Sequence, residues 1–95
     1  MSKSWYLVSY DVREPRRLKR VAKCLEGYGT RIQYSVFRCR LHPRELERMH
    51  WELTKILDSV DELLIIGICD SCASRIRIKG EKNNWNEKEA SFQIV

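Results

Sequence analysis

Eight residues near the start of the chain, Trp5-Tyr6-Leu7-Val8-Ser9-Tyr10-Asp11-Val12, carry no charge until Asp11. The run is rich in aromatic and β-branched side chains, which makes it a buried strand. The rest of the chain must supply the elements that bury it. The strand ends at Arg13-Glu14-Pro15, and Pro15 suits the first turn of a helix. Leu18, Val21, Ala22 and Leu25 then recur at i, i+3, i+4 and i+7, the buried stripe of an amphipathic helix. Gly27 and Gly29 are expected to end it.

The remaining elements follow the same logic. Arg31 to Leu41 is extended, with Ile32, Tyr34 and Val36 alternating with Gln33, Ser35 and Phe37. It fits one long bent strand or two short ones. Pro43 opens a second helix with the stripe Leu46, Met49, Leu53, Ile56 and Leu57. Glu62 to Cys69 contains Leu-Leu-Ile-Ile-Gly-Ile, apolar on both faces, and is expected to be a central strand. Asp70-Ser71 has the composition of a turn. Arg75-Ile76-Arg77-Ile78-Lys79 alternates as a strand with one charged face.

A polar stretch reads as a linker before a short last strand, Ser91-Phe92-Gln93-Ile94-Val95. So short a strand needs an open sheet edge, its own or that of a second subunit. The order predicts an α+β, ferredoxin-like βαββαβ fold with an extra C-terminal strand and both helices on one face. Residues 1–80 form the domain. Residues 81–95 form the linker and the terminal strand. The other face of the sheet is left for a second copy, so a homodimer with sheets facing each other is expected.

Ninety-five residues bury only about 60–65 % of their unfolded surface, so pairing would help this chain. No stretch reaches the length of apolar residues that spans a membrane, and the first residues lack the apolar core of a signal peptide. A cytoplasmic protein without membrane contact is expected. The net charge is +5 and uneven. Residues 1–48 carry 12 Lys/Arg against 5 Asp/Glu, and residues 49–95 carry 6 against 8. That excess suits a polyanion partner. Cys24 and Cys39 are singletons. Cys69-x-x-Cys72 is a lone pair, without the second pair or the spaced histidines of a structural zinc site. Reduced thiols are expected, with a disulfide across the turn as the alternative.

The candidate chemistry centres on Asp11, a carboxylate at the solvent end of a buried strand. It reads either as a cap of the following turn or helix or as a functional carboxylate. Arg13, Arg16, Arg17 and Arg20 follow it and are expected to share one flank. Their planar forks suit phosphate oxygens. Arg31 and Arg38 extend the charge, with Tyr34 and Phe37 interleaved for contact with bases. No Ser-His-Asp or Cys-His arrangement and no glycine-rich phosphate loop is present. No second carboxylate accompanies Asp11 in a motif. Magnesium often takes only one or two carboxylates and fills its shell with water and substrate phosphate. One Asp per subunit then suffices if a dimer axis brings two copies together.

Tyr6-Leu7-Val8-Ser9-Tyr10-Asp11-Val12, the basic helix after it, and Gly29-x-Arg31-Ile32-Gln33-Tyr34-Ser35-Val36-Phe37 together resemble the CRISPR-associated protein 2 family. The chain length, the helix opening near Pro43, the apolar strand ending in Cys-x-x-Cys and the short terminal strand fit as well. The resemblance implies a ferredoxin-like homodimer in which the terminal strand of residues 81–95 pairs with the partner subunit and Asp11 is the catalytic, metal-binding aspartate, paired with its copy, with Mg2+ as cofactor. Tyr10, Ser35 and Phe37 are implied as support. It implies a magnesium-dependent endonuclease of spacer acquisition, acting on single-stranded RNA or duplex DNA. The alternative is a non-catalytic scaffold that holds DNA and bridges dimers of the CRISPR integrase subunit.

Overall fold

A computed structural model of the chain describes residues 2–79 and 93–94. Its elements are β1 (Ser4–Asp11), α1 (Pro15–Glu26), β2 (Gly29–Gln33), β3 (Val36–Leu41), α2 (Pro43–Ile56), β4 (Glu62–Ile68), α3 (Asp70–Ala73), β5 (Arg77–Ile78) and β6 (Gln93–Ile94). The first four strands form an antiparallel sheet in the order β2-β3-β1-β4. With α1 and α2 packed together on one face, this is the expected ferredoxin-like arrangement.

β1 lies inside the sheet, as its lack of charge requires. Val8 and Tyr10 point into the helix-side core with Phe37, Cys39 and Leu41 of β3. Val21, Ala22 and Leu25 of α1 and Met49 and Leu53 of α2 close over them. Tyr28 adds a tie between the helices, its hydroxyl donating to Glu52. Burial, and after it the Glu52 carboxylate, pushes the Tyr28 hydroxyl up to about 12.

One open alternative is settled and two expectations change. The stretch 31–41 is two strands, joined at Tyr34-Ser35, where Ser35 O accepts a hydrogen bond from Tyr10 N at 3.2 Å. β4 is an edge strand of the sheet and not a central one. Its double apolarity has another cause. Leu63 and Ile65 pack on the helix-side core, while Leu64 and Ile66 lie on the opposite face, 56% and 44% exposed. Gly29 opens β2 instead of ending α1. A Cβ there would stand 2.0 Å from the Arg38 carbonyl oxygen and 2.6 Å from Cys39 Sγ, so only glycine lets the strands approach.

The second face of the sheet is partly covered by the chain itself. Ala73 of α3, Ile76 and Ile78 of β5 pack on Trp5, Ile32 and Val36. Asp70-Ser71 is therefore the start of one helical turn, and the strand expected at 75–79 shortens to Arg77–Ile78. β6 runs parallel to β5, in the same chain. The remainder of the expected linker and terminal strand lies outside the described residues. Among the described residues no helix is long and apolar enough to cross a membrane.

Candidate active site

β1 ends in the open at Asp11, and the local sequence explains why its carboxylate is left free. The cap of α1 is Glu14, whose carboxylate accepts from Arg17 N at 2.8 Å and Arg16 N at 3.1 Å. Those backbone bonds hold the Glu14 carboxyl below its usual range. The capping role is thus filled. The Asp11 side chain is exposed and has no hydrogen bond or ion pair among the described residues.

Asp11 is directly opposite Glu62 in the antiparallel pairing of β1 with β4. Opposed residues of such a pair share a face, with Cβ atoms about 4.5–5.5 Å apart. No local motif marks this second carboxylate, because the register of two strands some fifty residues apart is a tertiary fact. Both residues line an open cleft of about 540 Å³, with Ser9, Tyr10, Ser35, Leu63 and Leu64. Like charges facing each other across a ladder repel. Neither Asp11 nor Glu62 forms a salt bridge with a basic side chain among the described residues. A cation between them would relieve that repulsion. No group of three His, Cys, Asp or Glu assembles among the described residues. The donor set therefore fits an ion that keeps much of its water and takes substrate phosphate or a second chain's carboxylate, as magnesium does.

The supporting residues sit around this cleft in different roles. Tyr10 is 4% exposed, its hydroxyl donating to the Tyr34 carbonyl at 3.4 Å. Burial raises its pKa, so it stays protonated. Ser35 lines the cleft from the β2–β3 turn. Phe37 is fully buried, 6.2 Å from the Tyr10 ring, and acts by packing; it is closed to a stacking base, whereas Tyr34 is 75% exposed.

The arginines divide. Arg13, Arg16 and Arg20 are exposed. Arg17 stands one turn from Arg20 on the same helix, but its fork is taken by a carboxylate of the chain itself. Its Nε donates to Asp61 Oδ2 at 2.8 Å and a terminal nitrogen to Asp61 Oδ1 at 3.2 Å. Asp61 also accepts from Asp58 N at 2.9 Å. Its side chain is completely covered, and Arg17, followed by the Asp58 amide, holds its carboxyl below the usual range. This pair ties α1 to the turn that leads into Glu62. Arg31 is half-buried over the Phe37 ring, and its Nε has no hydrogen-bond partner among the described residues. Arg38, expected on nucleic acid, is 5% exposed and lies 5.2 Å from the Trp5 ring centre on the sheet's second face.

The chain matches the family described as CRISPR associated protein Cas2 over residues 4–76, a stretch that includes Asp11, α1 and Glu62. It is similar to the CRISPR-associated endoribonuclease Cas2 1 of Chloroflexus aurantiacus, 37% identical over 79 residues, covering 81% of this chain and 85% of that one. The CRISPR-associated endoribonuclease Cas2 3 of Synechocystis sp. is 42% identical over 59 residues, covering 62% of this chain and 64% of its own length. Among solved structures, Cas2 of Streptococcus pyogenes superposes with a TM-score of 0.62 at 37% identity, covering 65% of this chain and 82% of that one. The hypothetical protein TT1823 of Thermus thermophilus gives 0.69, also at 37% identity, over 70% and 83%.

Proposed function

The chain belongs to the CRISPR associated protein Cas2 family, and we propose that it is a metal-dependent endonuclease of spacer acquisition that hydrolyses phosphodiester bonds of single-stranded RNA or duplex DNA. One observation carries the reading: Asp11 is exposed, released from capping by Glu14, and faces Glu62 across an open cleft. Asp11 and Glu62 would hold a magnesium ion, with the Asp11 of a second copy completing the site. When bound, such an ion acidifies a water and offsets charge on the scissile phosphate.

The chain's own residues do the rest. Arg13, Arg16 and Arg20 grip backbone phosphates beside the cleft, and their forks position the strand without reading its sequence. Ser9 and Ser35 offer hydroxyls along the wall. Of the residues lining the cleft, Asp11 and Glu62 are the two carboxylates. Tyr10 holds the β2–β3 turn in place through Tyr34 and Ser35. Arg17 acts through Asp61, setting α1 against the approach to Glu62.

The second reading is a dimeric scaffold that binds duplex DNA and bridges dimers of the CRISPR integrase subunit. The exposed basic flank of α1 and the formal charge of +5 per chain favour it. Cleavage of both substrates with and without magnesium, beside Asp11→Ala and with binding measured in parallel, separates the two. The enzyme reading expects cleavage to fall to background while binding stays. Undiminished cleavage by the variant would sink it.

A further inference from the structure

The turn after β4 carries two cysteines that the cleft does not use. Cys69 immediately precedes α3 and Cys72 lies within it, and both are exposed. A separation of three residues puts both side chains on one side of a helical turn. Cys69 Sγ, at the cap of α3, is 3.2 Å from Ser71 Oγ, and Cys72 is the third residue of that helical turn. The Ser71 hydroxyl and, after it, Cys72 bring the Cys69 thiol down to about 7, while Cys69 pushes Cys72 upward. Cys69 is thus the more readily ionised sulfur of the two. That is the division of labour between an attacking and a resolving thiol. The other two cysteines are the opposite case. Cys24 is half-buried and Cys39 buried, and burial raises both, Cys39 to about 12.

We propose that Cys69 and Cys72 form a redox-active dithiol that closes reversibly to an intramolecular disulfide when a hydroperoxide reacts with it. The Cys69 thiolate attacks one peroxide oxygen. The O–O bond breaks, the departing oxygen takes up a proton, and Cys69 becomes a sulfenic acid. The Cys72 sulfur then attacks the Cys69 sulfur. The S–O bond breaks, and hydroxide leaves as water with the Cys72 proton. The two cysteines lose two electrons together and the peroxide gains them; a dithiol reductant reverses the step. The bridge spans α3, whose Ala73 is fully buried in the cluster around Trp5. Closure therefore stiffens the link from β4 to β5. A zinc site is the weaker use of the pair, because no third ligand joins it among the described residues.

The test treats the reduced full-length protein with stoichiometric hydrogen peroxide and follows it by intact mass and peptide mapping. The expected result is the loss of two hydrogens, a Cys69–Cys72 bridge, and full return with dithiothreitol. Cys24 and Cys39 stay open to alkylation after unfolding. Cys69→Ser and Cys72→Ser each lose the bridge, and both should fold, since the two side chains are exposed. In Ser71→Ala the pH midpoint of Cys69 alkylation moves up. Thiols that remain reduced under these conditions, or bridges that link two chains instead, would overturn the proposal. So would zinc retained through purification that blocks both thiols.

Discussion

Asp11 is available for chemistry because a neighbour three residues on has taken the structural task. Its strand-end position and its uncharged surroundings were legible in the sequence; its freedom was not, since either Asp11 or Glu14 was chemically able to cap the helix. Glu62 was invisible for a different reason. It becomes the partner of Asp11 only through the register of β1 on β4. Glu62→Gln should lower magnesium-dependent cleavage by about 10–100-fold, the range seen when groups that support a metal site are removed. Titration of cleavage against magnesium checks it, and the loss should lessen as magnesium rises. Arg17 separates from Arg16 and Arg20 in the same way. Its fork is occupied by Asp61, so Arg17→Ala should weaken folding, while Arg16→Ala and Arg20→Ala weaken nucleic-acid binding and leave the melting temperature unchanged. The pH dependence follows in sign. Asp61 titrates lower in the folded chain, chiefly because of Arg17. Its stabilisation is present above the ordinary carboxylate range and disappears as pH falls through the lowered folded value. Thermal melts from neutral to acid pH should therefore show a steeper acid loss in the parent than in Arg17→Ala.

The elements were read from periodicity, and the errors fall where periodicity carries least. Both long helices appear at their expected prolines, since a stripe of four or five apolar residues over three turns leaves little ambiguity. The turn between β2 and β3 is hard to read because Tyr34-Ser35 contains no Gly, Asn or Asp, the residues that mark two-residue hairpins. β4 reads as central because apolar residues on both faces signal cover on both faces, which an edge strand also has when its second face meets something. Gly29 illustrates the same limit: glycine after a helix reads as a stop, whereas this one makes room for the Arg38 carbonyl. Gly29→Ala should cost roughly 1–3 kcal/mol or more through overpacking, measured by denaturant unfolding. Gly27→Ala, whose Cβ would meet nothing closer than 3.4 Å, should change little.

At the scale of the molecule, the sheet has one face closed by helices and one that the described residues only half cover. α3 and β5 seal the Trp5 end. Towards the other end Leu64 and Ile66 stay exposed, on the face that also carries Asp11 and Glu62. Exposed branched side chains adjoining an incomplete carboxylate site have one economical explanation, a second copy that covers the first and completes the other. Ile66→Glu tests both halves of it. Ile66 is already in water in the single chain, so the variant should keep its far-ultraviolet spectrum. Placed against another apolar sheet, the charge would be buried without a partner, and sedimentation should show monomer where the parent shows dimer. Cleavage should fall with dissociation although Asp11 and Glu62 are untouched. A monomeric variant that still cleaves at the parent's rate would mean that the two carboxylates of one chain suffice, and the contribution of the partner's Asp11 would have to be abandoned.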